Sequence, residues 1–405
     1  MTKTKSEKEI KKGAEISVIT LVDSLIEDAH QVNASDIHID AGEKSARVRF
    51  RVDGVLQDMF ELPLGLMPEI ISRIKILTNL RTDEHKVPQD GRFRLVIEKI
   101  GPVDVRVAIT PTYHGESAVL RLLSSDQSGQ YSLESLGFEE HDREKILKAV
   151  QNPYGMILVT GPTGSGKTTT LYTILKILNT NDVSIITIED PIEYAIDNIK
   201  QVPVSARTGL TFASGLRSML RQDPDIIMVG EIRDEDTAGL AVNTALTGHL
   251  LLSTLHTNDA ATTLPRLLDM KIEPYLASST VNVAIGQRLV RRICEGCKVQ
   301  KNITETEYES LVEVLGKNIV GSSKKFYKGS GCDKCNLTGY RGRLVIDEVM
   351  VIDDEIREAI LKKGSSSDIK NIAIKNGMTT MIEDGIRKAA KGMTTIQEVL
   401  RVIHE

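Results

Sequence analysis

The run Gly161-Pro162-Thr163-Gly164-Ser165-Gly166-Lys167-Thr168 has the spacing G-x-x-x-x-G-K-[ST]. Glycines let backbone N–H groups turn inward around phosphate oxygens, and a helix starting there adds positive potential. Lys167 is then placed for the β- and γ-phosphates, the Thr168 hydroxyl is a magnesium ligand, and Thr169 completes the turn. The apolar stretch MILVT precedes the run; Leu171, Ile174, Leu175 and Leu178 follow it at helical spacing. Strand, glycine-rich loop and helix therefore stand in the required order, and ATP with Mg²⁺ is the expected ligand pair. The bland alternative is a glycine-rich turn followed by an accidental Lys-Thr.

Two further apolar runs end in carboxylates: Ile185–Ile188 before Glu189-Asp190, and Ile226–Val229 before Gly230-Glu231. Carboxylates at strand C-termini face the ligand crevice of an open parallel sheet. They can hold magnesium-bound water or orient an attacking water. We assign Glu189 to polarising the water and Glu231 to the magnesium shell; a solvated strand end is the competing reading for each. Gly230 stands where a common nucleotide hydrolase has an aspartate. The next strand, His249-Leu-Leu-Leu-Ser-Thr-Leu-His256, has a histidine at each end. His256 is a candidate phosphate sensor or relay and His249 a candidate nucleotide contact, although a lone histidine is more often structural.

All four cysteines fall in two pairs, Cys294-x-x-Cys297 and Cys332-x-x-Cys335. Paired C-x₂-C spacing suits a closed tetrahedral thiolate zinc site. Metal-free thiols and a redox pair are the alternatives; neither pair sits at a thioredoxin-like strand–helix start.

The elements that must carry these groups follow from the pattern of apolar residues. Strands expected at Met156–Thr160, Ile185–Ile188, Ile226–Val229 and Leu250–Thr254 alternate with helices, the signature of a helix-covered parallel sheet over 133–405. A tetracysteine subdomain is expected over 290–345. Before it, 14–125 reads as an α+β domain. A helix is expected from Ile16 through Ala29 with Ile19, Val22, Leu25 and Ile26 on its apolar face. Two strands flank Asp53-Gly54, a helix spans Met67–Leu80, and alternating strands cover Gly91–Ile97 and Val103–Ile109. Residues 126–132, mostly DQSGQY, are the expected linker. Residues 1–13 are expected to be a disordered charged leader without the apolar core of a signal peptide.

The chain has 405 residues, 51 Lys+Arg against 56 Asp+Glu, a net charge of −5, and no Trp. A nucleic-acid translocase would want a basic channel with stacking aromatics, so no nucleic-acid partner is expected. No apolar run approaches the ~20 residues of a membrane span, and a cytoplasmic protein is expected.

At this point the chain resembles a known family. LRSMLRQDPDIIMVGEIRD (216–234) looks like the atypical Walker B region of the type II secretion and type IV pilus assembly ATPases. TIEDPIEY (187–194) looks like their acidic box and TGHLLLSTLHTNDA (247–260) like their histidine box. ASDIHI (34–39), QDGRF (89–93) and AIGQRLVRRIC (284–294) are also similar. The resemblance implies a PAS-like N-domain followed by a RecA-like ATPase domain, assembled as a homo-hexamer at the cytoplasmic face of the inner membrane. ATP-driven closure of the two domains would turn an inner-membrane platform protein and so assemble pilin or pseudopilin. Larger members carry a further N-terminal domain, and this chain resembles a short member beginning near the PAS-like domain. It also implies that Arg92, Arg106 and Arg121, about 14–15 residues apart, reach the triphosphate on closure; a solvated strand face is the alternative. The cysteine motif, with Gly339-Tyr340-Arg341-Gly342-Arg343 after it, is similar to that of the assembly and secretion branch. Retraction ATPases lack it. A retraction motor, a RecA-type nucleic-acid translocase and a non-catalytic zinc scaffold are the rival readings.

Overall fold

The computed structural model describes residues 4–97, 101–123, 131–320 and 325–404. It divides into two compact units, 1–130 and 131–405.

The first unit opens with α1 (Lys5–Ile10) and α2 (Val18–Gln31), then β1 (Ala34–Ala41), β2 (Ser45–Val52), β3 (Val55–Pro63), α3 (Met67–Leu77), β4 (Gln89–Ile97), β5 (Gly101–Thr112) and β6 (Gly115–Leu123). The strands form one antiparallel sheet, ordered β3-β2-β1-β6-β5-β4. Alternate residues Ile37, Ile39, Val48, Phe50, Val105, Val107 and Leu120 pack with Leu21, Leu25, Ile70 and Ile74 of α2 and α3. The period-2 pattern thus gives one core face and one polar face.

The polar face carries an unbroken cross-strand row. Arg92 pairs with Arg106, Arg106 with Arg121, Arg121 with Asp36, and Asp36 with Arg51. Two successive antiparallel connections bring these three arginines, 106 − 92 = 14 and 121 − 106 = 15 residues apart, into one row.

Several expectations need correction. Part of the expected disordered leader is helix α1, because buried Asp28 of α2 accepts the Lys5 and Ser6 backbone N–H groups (3.2 and 2.9 Å) and Lys5 pairs with Glu27. Its residues 1–3 lie outside the described ones. Ile16 precedes α2, and Ile19 is exposed. The expected helix to Leu80 stops three residues early, where Asn79 takes a left-handed φ of 55°. Of the expected linker, 126–130 lie outside the described residues. Tyr131 packs on the second core, and the Ser132 hydroxyl caps the next helix, so these two residues belong to the second unit.

The second unit comprises α4 (Leu133–Leu136), α5 (Glu140–Val150), β7 (Gly155–Thr160), α6 (Lys167–Leu178), β8 (Ile185–Glu189), β9 (Ile199–Pro203), α7 (Phe212–Met219), β10 (Ile226–Val229), α8 (Glu235–Leu246), β11 (Leu250–Leu255), α9 (Thr263–Asp269), α10 (Pro274–Thr280), β12 (Val281–Ile293), β13 (Lys298–Asn302), α11 (Glu305–Leu315), α12 (Lys317–Val320), β14 (Lys325–Gly329), β15 (Tyr340–Val351), and four final helices, α13 (Asp354–Leu361), α14 (Ser366–Lys375), α15 (Met381–Ala390) and α16 (Ile396–His404). Seven strands lie in the order β15-β12-β7-β11-β10-β8-β9, all parallel except the edge strand β15. β7, β8, β10 and β11 are buried throughout, as strands covered by helices on both faces must be. The four expected parallel strands are present. β9 and the long β12–β15 pair were not foreseen. Of the expected subdomain over 290–345, both ends belong to β12 and β15; only 294–339 lies outside the main sheet.

Candidate nucleotide and metal sites

The phosphate-type loop leaves the C-terminal end of β7 and enters α6. Gly161 (φ 144°) and Gly166 (φ 87°) have positive φ, which a side chain would strain. Lys167 folds back over the loop, with Nζ donating to the carbonyls of Gly161 (2.8 Å) and Pro162 (2.9 Å). Burial pushes its ammonium down to about 8, against the opposing pull of Glu231. Ser165 Oγ is buried and has no hydrogen-bond partner among the described residues. Thr168 is exposed on the first turn of α6. A loop with inward-turning glycines, a buried cation and an orphaned hydroxyl fits a polyphosphate.

Parallel pairing brings the next strand ends beside this loop. Thr160 Oγ1 donates to Thr257 O (2.9 Å) and accepts from Thr257 N (3.1 Å), tying the end of β7 to the segment after β11. Thr254 Oγ1 donates to Gly230 O (2.8 Å), and Ile232 N donates to Thr254 O (3.0 Å). These bonds clamp Glu231 between two strand ends. Its Oε2 accepts from Arg233 Nε (2.5 Å) and lies 3.3 Å from His256 Nε2. The segment is held from behind by Glu348 of β15, fully buried, which accepts from Ala260 N (2.7 Å) and Met381 N (3.3 Å).

Glu189 is held differently. It is buried, and both its oxygens are occupied. Oε2 accepts from Tyr172 of α6; Oε1 accepts from Thr187 Oγ1 (2.5 Å) and Gln201 Nε2 (3.1 Å). Burial, with Glu189 alongside, pushes the Tyr172 phenol well up, so it stays a donor.

His249 is not brought to the loop. It precedes β11, with its carbonyl accepting from Gly155 N at the start of β7 and its Nδ1 3.1 Å from Thr244 O. The register Leu250↔Gly155 through Leu255↔Thr160 puts it at the opposite sheet end. At ~3.3 Å per residue the strand length between is about 17 Å. The expectation that His249 is a nucleotide contact is therefore corrected: it precedes β11, whereas the loop stands at the C-terminal strand ends, as the rule for open parallel sheets already implied. Tyr172 and Gln201 have no sequence signal of their own and are placed by tertiary pairing, whereas Arg233 and Thr257 lie inside the motifs at 216–234 and 247–260 without having been singled out.

The four cysteines converge. Cys294 Sγ lies 3.8 Å from Cys332 Sγ, as do Cys297 from Cys335 and Cys332 from Cys335, and all four sulfurs lie within 4.8 Å of one another. Sulfurs ~2.3 Å from one tetrahedral zinc stand about 3.8 Å apart, whereas a disulfide is ~2.05 Å. The donor set fits zinc. Although burial pushes the Cys335 thiol up, N–H groups of Cys332 and Gly339 (3.2 and 3.3 Å) outweigh it and bring it to about 7.

In the first unit, Asp36 is buried and takes Arg121 Nε at 2.8 Å and Arg51 Nε at 3.6 Å. Arg92 is exposed and Arg106 partly so. Among the described residues no helix is long and apolar enough to cross a membrane.

Comparison with known proteins gives this geometry a family. Residues 11–401 match the family described as type II/IV secretion system protein. The chain belongs to that family. It is 46% identical to a type II secretion system protein E of Xanthomonas campestris pv. campestris over 97% of this chain and 68% of the relative. It is also 46% identical to the type IV pilus assembly ATPase PilB of Thermus thermophilus over 94% of the chain but only 42% of that relative. Among solved structures, the pilus retraction motor PilT with bound ADP is 26% identical, with a TM-score of 0.63 over 94% of this chain and 96% of that one. The Legionella pneumophila ATPase DotB, at 23% identity and a TM-score of 0.69 over 94% of this chain and 95% of that one, shares the fold. Family membership and a nucleotide-shaped loop thus agree.

Proposed function

We propose that this chain is an ATP hydrolase that drives pilin or pseudopilin assembly, as type IV pilus extension or type II secretion. The observation that supports this most strongly is the convergence of Lys167, Ser165 and Glu231 at the C-terminal edge of the β7–β11–β10 sheet. In this reading 131–405 is a RecA-like ATPase unit and 14–125 a PAS-like unit. The working form is a homo-hexamer against an inner-membrane platform protein.

The reaction is ATP + water → ADP + phosphate. Gly161–Thr169 supply N–H groups and Lys167 the cation for the β- and γ-phosphates; Lys167 exchanges the Gly161 and Pro162 carbonyls for phosphate oxygens. Thr168 would hold Mg²⁺, which neutralises phosphate charge when bound. Glu231 orients the attacking water and His256 steadies its carboxylate. This revises the assignment of the water to Glu189. With both oxygens already taken, Glu189 holds the acidic segment in place, whereas the Glu231–His256 pair stands partly open beside Lys167. Arg92, Arg106 and Arg121, aligned in one row, would add charge to the γ-phosphoryl group when the units close. Zinc on Cys294, Cys297, Cys332 and Cys335 is structural: four thiolates leave no open position. The cluster favours extension or secretion over the PilT-like retraction reading.

The test is steady-state hydrolysis with and without DNA. Wild type is expected to release phosphate independently of DNA, and Lys167→Ala to be inactive. Equal turnover by Lys167→Ala would sink the phosphate-loop assignment. Capture of a membrane platform protein by the intact chain would identify the machine.

A further inference from the structure

One side chain outside the loop bonds both the loop and the helix that follows it. Gln287, fully buried on β12, donates Nε2–H to Ser165 O (2.8 Å) and accepts Thr170 Oγ1–H at Oε1 (2.8 Å). The amide orientation follows from chemistry: a carbonyl only accepts, so the NH₂ must face Ser165. A Cβ on Gly161 would stand 2.4 Å from Gln287 O, and one on Gly166 3.2 Å from Gln287 Nε2. The two glycines therefore admit β12 as well as shaping the turn.

In a trans peptide the C=O of Ser165 and the N–H of Gly166 share a plane and point in opposite directions. Drawing Ser165 O towards β12 turns the Gly166 N–H away from it, into the loop. The Thr170 bond fixes the first turn of α6 to the same amide. β12 is itself clamped, with Gly286 paired to Thr160 on one side and Gln287 to Asp347 on the other.

We propose that Gln287 is a positioning residue for nucleotide binding, which sets the phosphate loop by holding the Ser165 carbonyl outward. The inference rests on the phosphate-site reading above. Gln287→Met keeps the volume and removes donor and acceptor. It should stay folded with its zinc, bind N-methylanthraniloyl-ADP about tenfold more weakly, and raise KM for ATP more than it lowers kcat. Gln287→Glu adds a readout that packing alone would not move. As a neutral acid it can still donate to Ser165 O; as a carboxylate it cannot. Its affinity relative to wild type should therefore fall as pH rises between 5.5 and 7.5, while burial raises the pKa of the new carboxyl. Should the Met variant fail to fold, the pH course of the Glu variant decides alone. Variants that bind as wild type does at every pH would overturn the inference while leaving the site reading intact. A wild-type chain that binds no nucleotide would remove both.

Discussion

Raising the pH from 7.5 to 9.5 is expected to weaken nucleotide binding, and the cause is Lys167. Without nucleotide its ammonium is buried against two carbonyls and sits at about 8, well under the usual lysine value. A bound polyphosphate places anionic oxygens on Nζ and raises that value, so binding takes up a proton above pH 8. For a group whose pKa is higher in the complex, the binding contribution is complete below the free-state pKa and is lost as pH rises through it. At pH 9.5 about one free chain in thirty carries the charged lysine, against about three in four at pH 7.5, which alone lowers affinity about 25-fold. Solvent reaching the loop trims this to about three- to tenfold. Phosphate ionisation, with a pKa near 6, is complete below this window and does not contribute. The assay is fluorescence titration with N-methylanthraniloyl-ADP and Mg²⁺ at pH 7.5, 8.5 and 9.5. Calorimetry in two buffers of different ionisation heat counts the proton. Lys167→Arg, permanently charged, should show no such slope. A flat wild-type affinity with no proton uptake refutes the reasoning.

Glu231→Gln should bind ATP but lose on the order of 10²–10⁴ in turnover, the usual cost of a missing general base. Glu189→Gln should cost less, and rapid-quench analysis showing trapped ATP only in the Glu189 variant would reverse the two roles. Cys297→Ser should lose zinc and unfold at lower temperature before nucleotide binding suffers; elemental analysis finding no zinc in wild type purified without chelator would count decisively against the metal. Arg121→Ala and Arg106→Ala should each lower turnover by less than ~10³, with Arg92→Ala similar or milder. Unchanged turnover in all three, with native circular dichroism, would make the row an ordinary solvated face.

Local chemistry made much of this chain legible. The glycine-lysine run needs only its flanking strand and helix, and both stand where the apolar pattern puts them. Strand ends at Ile188 and Val229 were readable because parallel strands buried on both faces are continuous apolar runs. The cysteine pairs announced their convergence because C-x₂-C loops present two thiolates to one point. The row of Arg92, Arg106 and Arg121 was not legible in their spacing, because cross-strand partners are set by where the two turns fall. Other features were hidden. Helix α1 exists because Asp28, over twenty residues away, receives its first N–H groups. β12 and β15 lack the strand–helix alternation used to find the others, so their pairing was invisible.

The sequence by itself determined the phosphate loop, the two C-x₂-C pairs and the buried parallel strands, because each depends on residues close together in the chain or on a fixed period. Tertiary structure alone decided that both oxygens of Glu189 are bonded within the fold, that Glu231 stands beside His256, and that Gln287 bonds Ser165 and Thr170. Those outcomes depend on strand order in the sheet and on hydrogen bonds between segments up to 122 residues apart, a separation that carries no local signature.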